Sequence, residues 1–189
     1  MSSDSSAART AAPPHARPTA RFMLAHPAHI IALGAGSGLS RVAPGTVGTL
    51  WAWIAFLVLQ QWLSPAAMGW LILASLPIGW WACSVTARDM GVADPGSIVW
   101  DEVLAFWLVL WLVMPVGLLG QCLAFVLFRY FDAAKPGPVG WADRLVQHEC
   151  AATDRGRWAA AGFGILFDDL VAAFCTLLVI ALWQRWWMG

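Results

Sequence analysis

Two acidic doublets stand at the thresholds of long uncharged runs. Ile98-Val99-Trp100-Asp101-Glu102 is followed by residues 103–119 without a charge, and Ile165-Leu166-Phe167-Asp168-Asp169 by fifteen uncharged residues before Arg185. Runs of this kind approach the ~20 apolar residues that a helix needs to span a bilayer. Lipid offers the backbone no hydrogen-bond partner, so helix is the default conformation for each. An Asp at mid-bilayer costs roughly 2.5–3.5 kcal/mol on insertion scales. Four carboxylates beside such runs imply a use for them, most directly a divalent cation held at the membrane surface.

Composition agrees. The 189 residues are 60% hydrophobic and only 12% charged, against about 25% charged in soluble domains. Mean hydropathy is +0.66. Fourteen tryptophans against one tyrosine suit a bilayer interface. A net charge of zero and the lack of a basic stripe give no sign of a nucleic-acid partner. The four cysteines have no C-x-x-C spacing and imply no disulfide. Residues 1–21, rich in Ser, Ala, Pro and Arg and without an apolar h-region, read as a disordered leader. Residues 22–189 are expected to form one membrane-embedded domain.

Apolar segments fall at about 47–63, 66–87, 99–115, 118–131 and 165–184, with a further apolar helix at 24–33 that could dip into the interface. The expected fold class is all-α, a polytopic helical bundle of about five spans. The connections between the first and second and between the third and fourth segments carry no Lys, Arg, Asp or Glu. Every basic residue except Arg185 lies on the other side, which the Lys/Arg bias assigns to the cytoplasm. A carboxylate cluster at the cytoplasmic face is therefore expected.

Four blocks carry candidate chemistry. Gly34-Ala35-Gly36-Ser37-Gly38-Leu39-Ser40 and Pro44-Gly45-Thr46-Val47-Gly48 offer close backbone approach and an anion nest. A helix opening near Thr46 would point its positive dipole end at such an anion. Gly34 and Gly38 also have the spacing of a helix-packing pair, although Pro44-Gly45 favours a loop. Asp89, Asp94, Asp101 and Glu102 form a second block of hard oxygen donors, suited to Mg²⁺ rather than zinc. Asp89 could instead pair with Arg88 as a solvated surface charge, and Asp94 could equally open the Asp94-Pro95-Gly96 turn.

In the third block Asp132 stands between Arg129 and Lys135. Arg grips phosphate through a planar fork and Lys acts as a point charge, whereas each alone could simply snorkel to the headgroups. Asp168 and Asp169 form the fourth block. Adjacent helical residues point about 100° apart, so the two are expected to play unequal roles. His148-Glu149-Cys150 is a weak candidate for a soft metal site.

Taken in order, G-S-G-L-S with P-G-T-V-G (36–48), D-M-G-V-A-D-P-G-S-I-V-W-D-E (89–102), F-R-Y-F-D-A-A-K-P-G-P (128–138) and G-F-G-I-L-F-D-D (162–169) resemble the phosphatidylglycerophosphatase A family of bacterial membrane lipid phosphatases. The resemblance implies Mg²⁺-dependent removal of the terminal phosphate of phosphatidylglycerophosphate, at the cytoplasmic face of the bacterial inner membrane. On that reading the catalytic set is Asp89, Asp101, Glu102, Asp132, Asp168 and Asp169, with Asp101, Glu102, Asp168 and Asp169 on the metal. Ser37, Gly38, Gly45, Thr46, Arg129 and Lys135 would bind the substrate phosphate. The chain departs from the family pattern at Arg41, where proline is usual, at Ala105 and Ala161, where glycine is usual, and by an apparent insertion at 147–160. The competing class is a small ion- or proton-coupled transporter with intramembrane acids along its path.

Overall fold

The computed structural model describes residues 17–140 and 154–188, and no strand occurs among them. Two short helices, α1 (Ala20–Leu24) and α2 (Pro27–Ala32), precede a 3₁₀ segment at Gly34–Leu39. The longer helices are α3 (Pro44–Leu59), α4 (Pro65–Met90), α5 (Trp100–Val113), α6 (Leu118–Ala134) and α7 (Asp154–Met188). The all-α expectation is met. Residues 1–16 of the expected leader and the His148-Glu149-Cys150 candidate lie outside the described residues; from Ala20 onward the chain is already helical.

The expected 24–33 helix is two helices. Pro27 disfavours αR conformation in the residue before it, and His26 is accordingly extended at φ −152°, ψ 140°. Its Nδ1 then accepts from the Ala28 amide and caps α2. In α4, Ser64 caps the N-terminus by accepting from the Ala67 amide, with Pro65 in the first turn. Gly91, at φ +68°, ends the helix: its amide bonds to Arg88 O and that of Val92 to Ala87 O. This paired pattern turns the chain back towards α5 and sets the course of residues 92–99.

The central element is α5. Val103, Ala105, Phe106, Val109 and Leu110 are fully covered, and Leu104 and Trp107 nearly so. A helix apolar around most of its circumference is packed on most sides, and α3, α4, α6 and α7 all touch it, while Leu112 near its end stays exposed. Indole nitrogens stitch the bundle together. Trp107 donates to Ala52 O, Trp53 to Gln121 Oε1, Trp111 to Pro65 O and Trp80 to Ala159 O. Each of these indoles has its one donor satisfied, and the Trp107 ring is buried as well.

Helix α7 begins eleven residues before the expected 165. The Ala-rich stretch 158–161 is a strong helix former, and a Cβ on Gly162 would meet the Ser84 side chain and, at 2.9 Å, both Ser84 N and Trp80 O. The missing side chain lets α4 and α7 approach backbone to backbone. Helix α4 and residues Trp158–Trp186 are each long and apolar enough to cross a membrane, and α3 is a shorter apolar helix. Large apolar side chains face outward on several helices, among them Ile54, Trp70, Val126, Trp183 and Trp186.

Candidate active site

The N-termini of α3 and α5, the C-terminus of α6 and the middle of α7 converge on a cavity of about 350 Å³. Its walls include Pro44, Gly45, Asp94, Gly96, Asp101, Glu102, Arg129, Asp132, Lys135, Asp168 and Asp169. Residues separated by more than a hundred positions thus share one polar chamber in an otherwise apolar bundle. Asp101 and Glu102 occupy the first turn of α5, where the helix dipole favours negative charge.

Asp101, Glu102 and Asp169 each bring a carboxylate oxygen within 4.8 Å of the others. Glu102 and Asp169 are buried. One oxygen of each residue, Asp101 Oδ1, Glu102 Oε2 and Asp169 Oδ2, is covered from solvent and has no hydrogen-bond partner. Buried polar atoms are seldom left so. Three orphaned anionic acceptors in one place fit a hard divalent cation, whose ligands are carboxylate oxygens.

The doublet on α7 divides. Asp168 Oδ2 accepts from Lys135 Nζ at 2.6 Å, and Asp168 Oδ1 accepts from the Asp169 amide at 3.1 Å. Asp169 faces the α5 acids and Asp168 faces the end of α6, the inequality that helical spacing requires. Lys135, in left-handed conformation at φ 43° just past α6, is held over the cavity by this contact.

Arg129 is a fixed part of the same wall. Its Nη1 donates to Asp132 Oδ2 and, at 3.3 Å, to Thr49 Oγ1, and lies 3.6 Å from Glu102 Oε1. Its side chain is 18% exposed and turned onto the protein's own polar groups. The Nε donor is buried and unpaired. Thr49 donates in turn to Gly45 O at 2.8 Å. A Cβ on Gly45 would collide with Glu102 Oε1 and approach Arg129 Nη2 to 3.2 Å. Glycine at 45 is what allows α3, α5 and α6 to close around the arginine.

The family model of phosphatidylglycerophosphatase A matches residues 30–184, and so nearly the whole described bundle. The chain belongs to the phosphatidylglycerophosphatase A family. It is 35% identical over 170 residues to phosphatidylglycerophosphatase A of Escherichia coli strain K12, covering 89% of this chain and 91% of that relative. Identity to the Haemophilus influenzae protein of the same name is 34% over 169 residues, 89% of this chain and 96% of the relative. A Bacteroides thetaiotaomicron protein provisionally named a phosphatidylinositol-3-phosphatase is 30% identical over 174 residues, 85% of this chain and 94% of its own length. No solved structure matches the chain.

Not every family-motif residue reaches the chamber. Ser37 donates to Gly34 O at 2.9 Å, and Gly38 packs so closely on Ser97 O that no side chain fits there. Both shape the 3₁₀ segment and neither lines the cavity. Gly45 lines it, and Thr46, the next residue, does not. Asp89 lies apart, accepting from Arg88 Nε at 2.9 Å and facing His29 Nε2 at 3.1 Å. His29, 4% exposed, also places Nδ1 2.9 Å from Phe22 O and so ties α1 and α2 to the end of α4. Ala32 O accepts from the Val99 amide at 2.9 Å and carries that tie to the start of α5. Sequence reasoning missed His29 and Thr49. Of the departures from the family pattern, Ala105 and Ala161 are buried methyls.

Gly45→Ala is expected to destabilise the protein by about 1–3 kcal/mol through overpacking, read as a lower unfolding temperature in detergent. Gly96→Ala, in the same cavity wall but with nothing within 4 Å of its Cβ position, is expected to leave that temperature unchanged.

Proposed function

We propose that the chain hydrolyses the terminal phosphomonoester of phosphatidylglycerophosphate, giving phosphatidylglycerol and phosphate, and that it requires Mg²⁺. The observation that carries this reading is the orphaned Asp101–Glu102–Asp169 triad beside an arginine whose Nε donor is buried and unspent, in a chain of this family. Bound there, Mg²⁺ would supply Lewis-acid neutralisation of phosphate charge.

The protein's own groups have separable tasks. Arg129, braced by Asp132 and Thr49, offers charge-assisted donors to non-bridging phosphate oxygens and stabilises charge that grows as the ester bond breaks. Lys135, held by Asp168, adds a second positive charge across the chamber. Pro44 opens α3 with no side-chain cap, and the Val47 amide is already bonded to Ala43 O, so the Gly45 amide at the cavity wall and that of Thr46 after it are further phosphate donors. In the net reaction the terminal P–O ester bond breaks; water contributes oxygen to phosphate and a proton to the glycerol oxygen. The transport alternative draws no support from this arrangement, because the acids gather in one chamber instead of forming a file along the bundle.

Phosphate release from phosphatidylglycerophosphate in detergent, with chelator and then with restored Mg²⁺, tests the reading. Wild-type activity is expected to vanish and return. Asp101→Asn, Glu102→Gln and Asp169→Asn are each expected to lose at least about a hundredfold in turnover, as removal of a charged ligand implies. Arg129→Lys is expected to lower kcat/KM about ten- to hundredfold, the equivalent of one charge-assisted contact. Full activity in chelator, or wild-type rates in all three carboxylate variants, would overturn it.

The membrane arrangement belongs to the same proposal. Helices α3 to α7 form five traverses, with the chamber at the cytoplasmic face of the bacterial inner membrane. Helices α3, α5 and α6, of 16, 14 and 17 residues, rise about 24, 21 and 26 Å at 1.5 Å per residue. These fall short of the roughly 30 Å hydrocarbon core, and local thinning accommodates them. The outward-facing apolar side chains on α3, α4, α6 and α7 support a lipid-facing perimeter. Single cysteines at Ser64 and Gly137, in a background without the native four, are expected to label from opposite sides of intact cells, Ser64 from outside. Labelling from one side would remove a traverse from the proposal.

A further inference from the structure

We propose that Arg41 and Arg17 bind the phosphodiester of the lipid, so that the enzyme selects a substrate with two phosphates over one with the monoester alone. This rests on the phosphatase reading above and adds a determinant of substrate choice. A second cavity of about 350 Å³ adjoins the catalytic chamber, and Pro44, Asp94 and Gly96 line both. The second cavity is also lined by Arg17 and Arg41, neither of which lines the catalytic chamber. Arg17 Nη1 donates to Arg41 O at 3.2 Å, which sets the two residues side by side although 24 positions separate them. Among the described residues neither guanidinium forms an ion pair with a carboxylate. Among the described residues Asp94 is the one acid lining this cavity, and it lines the chamber too; the two arginines line the second cavity alone.

The charge pattern matches the substrate's chemistry. Phosphatidylglycerophosphate holds a terminal monoester and, one glycerol unit away, a singly charged diester with two non-bridging oxygens. With the monoester between Arg129 and the carboxylate triad, the diester falls one short linker away, the relation that two cavities with a common wall provide. A guanidinium fork suits a pair of non-bridging oxygens. Phosphatidic acid, with its phosphate attached directly to the acylated glycerol, has no diester to offer. Arg41 also stands where the family pattern has proline, so the contact is a property of this chain.

The test compares kcat/KM for phosphatidylglycerophosphate and phosphatidic acid in neutral-detergent micelles, where no anionic bilayer surface contributes. Wild-type protein is expected to favour the two-phosphate lipid. Arg41→Gln and Arg17→Gln are each expected to lower the ratio of the two kcat/KM values about five- to tenfold, through KM for the two-phosphate lipid, as loss of an exposed charge-assisted contact implies. Arg41→Lys is expected to recover part of the ratio. A wild-type enzyme that hydrolyses both lipids equally, or variants that lower both alike or leave the ratio unmoved, would overturn the inference while leaving the phosphatase reading intact. Wild-type protein inactive on both lipids would overturn both.

Discussion

Mutual repulsion of buried carboxylates is the constraint around which this bundle is organised. Asp101, Glu102 and Asp169 bring oxygens within 4.8 Å of one another; at an effective dielectric near 20, two ionised groups at that distance repel by about 3–4 kcal/mol. Burying such groups without a counter-charge adds a desolvation cost. Arg129 offsets part of it from one side by facing Glu102. The three oxygens left without partners mark where a further positive charge belongs. Stability and chemistry meet at this point, because the ion that would relieve the repulsion is the one the proposed reaction uses.

The rest of the fold holds those groups where they would not otherwise stay. Helix α5 delivers two acids to the chamber because most of its remaining surface, from Val103 to Leu110, is buried against four other helices, which opposes rotation of its acids towards water. Gly45 allows α3 to pass close to Glu102 and Arg129, and Thr49, one turn later, accepts from the arginine while donating to Gly45 O. The His29–Asp89 contact and the Val99–Ala32 bond join the short N-terminal helices to the ends of α4 and α5. Asp89 thus sits outside the chamber wall, on the contact that joins α2 to α4.

Much of this was legible in the sequence, for identifiable reasons. An acidic doublet beside an uncharged apolar run is costly in lipid, so Asp101-Glu102 and Asp168-Asp169 marked themselves out, and Asp132 did so by standing between two cations. The assignment within a doublet was not legible. Helical spacing requires Asp168 and Asp169 to diverge, but the placement of Lys135 decides which of them faces the α5 acids. Asp89 could be read as a ligand because its partner His29 lies sixty positions away. Ser37 and Gly38 have the composition of an anion nest, yet their polar groups are used locally or pressed against Ser97. Helix boundaries followed apolarity except at Pro27, which breaks the apolar 24–33 segment into two helices, and at α7, where alanine propensity and contact with α4 carry the helix into a charged stretch.

The claim that Asp101, Glu102 and Asp169 form one cation site, with Asp168 committed to Lys135, is tested most directly by Mn²⁺ binding to the purified protein, followed by electron paramagnetic resonance. Wild-type protein should bind one tight equivalent that Mg²⁺ displaces. Asp169→Asn should weaken binding about ten- to hundredfold, and Asp168→Asn should leave it within a few-fold of wild type. Equal losses in the two variants, or a wild-type protein that binds no Mn²⁺, would contradict the account.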